Sequence, residues 1–209
     1  MRDPEPGVTT DTAPTSRRGA RDVILREAAE LFATKGYAES GLREIAERAG
    51  VGPSTIYHHF GSKEHIYEEI IRRAVDEIAA SVRAELAALP PNADVRARFN
   101  AAVRGHLYAL HAHKPFTSTN AHSRIKVPAA VDAAITRRRR GYANFWRELF
   151  AEAERSKALK PGLDIKLLRP LVLETLNRTV AWFDERQGNR EKLAMTMTAM
   201  FAGIWANDA

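Results

Sequence analysis

GVGPSTIYHHFGSKE, residues 50–64, sets a Gly-Val-Gly-Pro turn ahead of a short segment anchored by Ile56 and Phe60, and closes it with Gly61-Ser62. Proline at the first position of a helix loses no hydrogen bond, because that N–H is orphaned in any helix. A short helix therefore begins at Gly52-Pro53, and Ser62 caps the helix that follows. The adjacent His58 and His59 raise the question of a metal or acid–base site. Neighbouring positions on a helix diverge by about 100°, so one ion cannot easily take both rings. The pair has to be explained by something else.

Working outward, Leu42, Ile45, Ala46 and Ala49 share one face of a second short helix, which Ser40 or Gly41 caps and Gly50 ends. Before it, Ile24, Ala28, Leu31 and Phe32 follow helical spacing up to Gly36. Two short helices joined by AGVG, between a support helix and a long one, make a helix-turn-helix of the DNA-binding kind. Ala46 is small where the helices cross, Gly50 permits the turn and Val51 plugs the angle between them. Leu42, Ile45 and Ile56 face the small core. Pro53, Ser54, Thr55, Tyr57, His58 and His59 have no core role and project outward.

AAELFATKGY, LREIAERAGV and STIYHHFGSKE together resemble the N-terminal domain of the TetR family of bacterial transcriptional regulators, over roughly Arg21 to Tyr67. The resemblance implies a recognition helix at about Pro53 to His59, with base-edge contacts from Pro53, Ser54, Thr55 and His58. It implies phosphate contacts from Tyr57 and Lys63, with Arg43 reaching the DNA and His59 beside a phosphate. Arg17, Arg18 and Arg21 would form an arm toward the backbone or minor groove. Two departures stand out. Gly41 beside Ser40 leaves one phosphate contact to Ser40 alone, and Gly52 stands where a serine often caps the recognition helix.

The remaining chain reads as helix as well, in segments near 62–88, 94–113, 128–154, 164–186 and 190–206, for an all-α fold of about nine helices. The stretch from Pro115 to Pro128 reads as poorly defined, and Pro170 is expected to kink or split its helix. The domains expected are a disordered tail at 1–16, the DNA-binding head at 17–66, and a larger helical domain at 67–209 for ligand binding and dimerisation. No apolar run is long enough to span a membrane, and MRDPEPGVTTDTAPTS has no signal-peptide core. The absence of cysteine excludes disulfides and thiolate metal sites and suits a cytoplasmic location, with no cofactor expected.

Charge is unevenly placed. Residues 17–67 carry eight basic and seven acidic groups, whereas residues 104–147 hold nine basic groups against the single acid Asp132. A head of net charge +1 binds DNA weakly alone, so a homodimer on a roughly palindromic operator is expected. Leu171, Val172, Leu176, Val180 and Phe183, with Leu193, Met197, Met200, Phe201, Ile204 and Trp205, give the last two helices more apolar surface than one side needs. They are the expected dimer contact.

Tyr142, Trp146, Asn177, Arg178 and Trp182 mix apolar walls with polar groups as ligand cavities do, and Arg124 and Arg138 are candidates to neutralise an anionic ligand. YANFWRELF, LKPGLDIKLL and LNRTVAWF resemble acyl-CoA-responsive TetR-type regulators, which implies an acyl-CoA or lipid-derived effector that releases a repressor. A regulator of hydrophobic or cationic drugs, and an effector-independent structural DNA-binding protein, are the alternatives. An enzyme is not expected. His106, His111, His113 and His122 are spaced by five, two and nine, and no HExxH or Gly-x-Ser-x-Gly motif occurs.

Overall fold

Two apolar cores share one long helix in the computed structural model, which describes residues 17–121, 127–186 and 188–206, and only the backbone of 17, 18, 120 and 121. The tail at 1–16, Arg124, and the side chains of Arg17 and Arg18 lie outside the described residues. The described chain is all-α: α1 (Arg17–Thr34), α2 (Leu42–Arg48), α3 (Pro53–Phe60), α4 (Lys63–Ala87), α5 (Val95–Ala112), α6 (Lys114–Ala121), α7 (Ala129–Arg155), α8 (Ile165–Arg178) and α9 (Arg190–Met200). Two 3-10 turns, Thr179–Ala181 and Phe201–Ile204, extend α8 and α9. No described helix is long and apolar enough to cross a membrane.

Helix α6 is a correction to the stretch expected to lack structure. Pro115 falls in its first turn, where a missing N–H costs nothing, so the proline starts a helix instead of ending one. Pro170 also lies within α8 without ending it. The segment expected as one helix to residue 186 instead leaves α-geometry at Thr179, and the chain turns out at Trp182.

The head core gathers Ile24, Leu25, Phe32, Ile45, Ile56 and Ile66, all at most 1% exposed. It continues up α4 to Val75 and takes Val131 and Ile135 from the start of α7. The domain change expected between residues 66 and 67 therefore falls inside this core. From Ile78 onward α4 belongs to the body core, built on Phe99, Leu107, Trp146, Phe150, Leu176 and Trp205. Tyr142, midway along α7, packs against both.

Gly105 sets the closest helix crossing. An added Cβ there would lie 2.7 Å from Val82 Cα and 2.9 Å from Ser81 O, so α4 and α5 touch backbone to backbone. At the far end, Lys160 N donates to Ile204 O (2.9 Å) and Ala206 N to Ala158 O (2.8 Å), strapping the chain end across the α7–α8 connection. Most apolar residues expected to meet a partner are already spent inside the protein: Val172, Leu176, Phe183, Leu193, Met197, Phe201 and Trp205 are buried. Of the expected residues Leu171 and Met200 remain exposed, and Leu167 and Met195 join them on the exposed apolar face of α8 and α9.

Candidate nucleic-acid interface and ligand cavity

The head's turn is held by its own backbone. Ala49 N donates to Ile45 O (2.9 Å), Gly50 N to Glu47 O (3.1 Å) and Val51 N to Ala46 O (3.0 Å). Gly50 takes φ +65, the left-handed region in which a Cβ is strained. Gly52 caps α3 without a side-chain hydrogen bond, leaving the first-turn N–H groups to other partners. On α3, Ile56 and Phe60 point inward while Pro53, Ser54, Tyr57 and His58 are exposed and Thr55 and His59 half-buried. Tyr57 is 58% exposed, a large aromatic ring standing free of the core on a short helix. Arg43 on α2 is exposed as well.

Three expected DNA contacts are occupied otherwise. Ser40 is 1% exposed and its hydroxyl donates to Gly36 O at 2.5 Å, so it braces the loop before α2 and is closed off from a phosphate. Lys63 Nζ donates to Tyr37 O and Ser40 O, both at 2.9 Å, and lies 4.4 Å from the Tyr37 ring centre. Two of its three donors thus bind inside the head. The backbone of Arg17 and Arg18 opens α1, and Arg21 pairs with Glu69 at 3.1 Å and covers the Phe60 ring.

Tyr37 ties these parts together. Its hydroxyl donates to Glu64 Oε1 (3.0 Å), and its ring packs with Phe32 and Tyr67 at 5.4 and 5.0 Å. Burial, and then the Glu64 carboxylate, push its phenol above the ordinary value. Ser62 caps α4 by accepting from His65 N, so α3 passes directly into the long helix.

In the body, a cavity of about 250 Å³ lies between α4, α5, α7 and α8. Val75, Ile78, Pro170 and Leu173 form apolar walls, and Arg139, Arg169 and Glu174 bring charge to it. Its polar floor is a relay: the Tyr142 hydroxyl donates to His106 Nδ1 (2.8 Å), and His106 Nε2–H donates to Asn177 Oδ1 (3.1 Å). His106 is 2% exposed, and its burial drives the imidazole down to about 4, which keeps it neutral near pH 7. Burial also pushes the Arg139 guanidinium down and the Tyr142 phenol up.

Of the residues expected at a ligand site, Tyr142 and Asn177 line this cavity, Trp146, Trp182, Arg178 and Arg138 lie elsewhere, and Arg124 is outside the described residues. Trp146 is fully buried among Phe99, Phe145 and Phe150 and is core. Trp182 is 55% exposed beyond the end of α8, and Arg178 is exposed at that end, because the helix that would have turned Trp182 inward stops. Arg138 is exposed and lines a different cavity, so of the four consecutive arginines the one at this cavity is Arg139. His106, Arg139 and Arg169 were missed. His106 left a signal as a polar residue on the apolar stripe of Val103, Leu107 and Leu110, and Arg139 belongs to the run Arg137 to Arg140, which surrounds its helix so that some of it must approach the core.

Residues 24–70 match the family model described as bacterial regulatory proteins, tetR family. Residues 92–204, more than half of the chain, match the Tetracyclin repressor-like C-terminal domain. The chain is 28% identical to the HTH-type transcriptional repressor KstR2 of Mycolicibacterium smegmatis over 83% of its own length and 82% of that protein. It is 26% identical to the fatty acid metabolism regulator protein of Bacillus subtilis over 75% and 79% of the two chains. The crystal structure of the TetR family transcriptional regulator PfmR from Thermus thermophilus superposes with a TM-score of 0.73 at 25% identity, covering 90% of this chain and 98% of that one.

Proposed function

Since the chain belongs to the TetR family of bacterial transcriptional regulators, we propose that it is a homodimeric repressor released from a palindromic operator by an anionic, acyl-bearing effector. The observation that carries this reading is the position of the cavity on α4. Its walls include Val75 and Ile78, the residues at which α4 passes from the head core to the body core. A ligand that changes the packing there acts on a helix whose first turn follows the reading helix directly. In a dimer, a small rotation of α4 changes the spacing of two heads that must enter successive major grooves together. Switching from about 1% to about 99% released requires the effector to prefer the released arrangement by roughly 5.5 kcal/mol.

The lining favours the class of effector. An apolar chain suits Val75, Ile78 and Leu173, a carbonyl suits the neutral Tyr142–His106–Asn177 relay, and the two arginines favour an anion over a cationic drug. An acyl-CoA thioester combines these features, and the name of the Bacillus subtilis relative, a fatty acid metabolism regulator, agrees with it. The exposed face of Leu167, Leu171, Met195 and Met200 on α8 and α9 suits pairing with a second copy.

The test begins with selection of DNA from a random pool by the purified protein, followed by titration of the selected duplex with acyl-CoA thioesters. A palindromic consensus and release by thioesters are expected. Tyr57→Ala should weaken binding to that duplex about tenfold, the loss of one good DNA contact, with an unchanged thermal midpoint. A protein that selects no sequence would sink the proposal.

A further inference from the structure

A second cavity, of about 360 Å³, lies on the other flank of Tyr142, lined by Ala79, Arg83, Leu86, Arg138 and Phe145 among others. The two cavities share two residues, Val75 of α4 and Tyr142 of α7. These two residues, one from each helix, border both cavities at the seam between them. The Tyr142 ring is held there by stacking against Phe145 at 6.2 Å and against His106 at 5.9 Å, with its hydroxyl donated to His106 Nδ1. The inner chamber by itself is smaller than the roughly 300–1,000 Å³ usual for pockets that enclose a whole small molecule. Val75, Ile78 and Leu173 on one side and Ala79, Val82, Leu86 and Phe145 on the other give an apolar chain crossing the seam apolar contacts in both chambers, with Asp76, Arg83 and Arg138 also lining the second.

We propose that Tyr142 is a movable partition that sets the effector's chain length: a short acyl chain ends against its ring, and a long one fits only when the ring turns aside and joins the two chambers. This rests on the acyl-effector reading above and adds a length rule to it. The polar contact that holds the ring is a single hydrogen bond to a neutral imidazole, and a ligand carbonyl accepting from the Tyr142 hydroxyl in place of His106 would free it. A chain lying across the seam also stands between α4 and α7, so a long effector would separate the two helices where a short one would not.

The test measures the affinity of the full-length protein for a homologous series of straight-chain acyl-CoA thioesters, by calorimetry, alongside Tyr142→Ala, Val75→Ala and Tyr142→Phe. The wild type is expected to gain affinity with chain length and then level off. Tyr142→Ala should extend the rising part to longer chains, by about fourfold for each methylene newly buried. Val75→Ala, which thins the same seam from the other helix, should shift the limit in the same direction and guards against a folding defect in Tyr142→Ala. Tyr142→Phe keeps the ring but loses its hydrogen bond to His106, and should lower the affinity of short and long thioesters alike while raising the ratio of long-chain to short-chain affinity. If the wild type binds the thioesters and both alanine variants keep its length limit, the partition is overturned and the effector reading survives. If neither the wild type nor any variant binds a thioester of any length, both are overturned.

Discussion

The head and the body bury different chemistry. In the head core, isoleucine, leucine and aromatic side chains fill the space, and the buried Ser40 hydroxyl is satisfied two residues outside α2 by Gly36 O. The body buries His106, His111 and Thr179 and leaves two cavities beside Tyr142, and α6, packed against α1 and α4, buries Thr117 and Thr119. A surface that reads DNA must hold Tyr57 and its neighbours at fixed spacing, which close apolar packing provides. A sensor has to leave room and offer polar groups, at a cost in stability wherever those groups are poorly paired. His111 illustrates that cost. Its Nε2 meets Thr179 Oγ1 at 2.9 Å, but its Nδ1 has no hydrogen-bond partner among the described residues.

The largest expected effect tests whether the two cores are separate at all. Phe32 in the head packs on Tyr37 and Tyr67, and Phe99 in the body meets Trp146, Phe150, Phe201 and Trp205 within 6.0 Å. Truncating either to alanine should cost about 3–5 kcal/mol. Because α4 and α7 each contribute to both cores, Phe32→Ala and Phe99→Ala should lower one shared transition in chemical denaturation followed by circular dichroism. Two resolved transitions, with each variant moving only its own, would divide the molecule into independent units and break the picture of α4 as a rigid link.

Acid should separate the two regions next. Burial holds both His106 and His111 at about 4, below the ordinary 6.5, so folding favours their neutral forms. The unfolded chain then binds protons that the folded chain refuses. Their contribution is complete above about pH 6.5, declines as pH falls toward 4, and levels off below that. The slope reaches at most about 1.4 kcal/mol per pH unit for each histidine, roughly 3 kcal/mol over the window for His106. Glu64 and Glu69 of the head, held below 4.5 by hydrogen bonds led by the Glu64 backbone and the Arg72 guanidinium respectively, lose their contribution only at lower pH. Stability measured between pH 6.5 and 4.5 should therefore report the body, and His106→Gln should flatten that decline. An unchanged slope in the variant would remove His106 from the account.

The same division explains what could be read from sequence. The head was legible because its determinants are local: Ala46, Gly50, Pro53 and Ser62 each act on the turn or helix in which they sit, and all four do so in the structure. The cavity was not, because α4, α5, α7 and α8 each contribute to it across long sequence separations. Tyr142 follows Arg138 by four and Arg139 by three, so helical spacing places both arginines on its side, and only packing decides between them. Trp182 was misplaced for a related reason: its inward direction assumed that α8 continued, and the chain leaves α-geometry at Thr179.

Two glycines carry the comparison to its smallest and most local scale. Both stand inside helices of the body, where alanine is intrinsically favoured over glycine by about 1 kcal/mol. At Gly105 that gain is outweighed, because the new Cβ would meet the Val82 backbone at 2.7 Å and α5 would have to move off α4. Overpacking of this kind costs about 1–3 kcal/mol, and the helix that loses its close neighbour is the one that carries the head. Gly105→Ala should therefore lower the thermal midpoint and also alter operator affinity. Gly141, exposed on α7 with nothing within 4 Å of an added Cβ, has only the helical gain available. Gly141→Ala should raise stability by up to about 1 kcal/mol. It lies on the wall of the outer chamber, beside the Tyr142 partition, so thioester affinity measured with the same variant tests how freely that wall must flex. A more stable protein with unchanged affinity for long chains would place the necessary movement in the Tyr142 side chain, and a loss confined to long chains would place it in the backbone of α7.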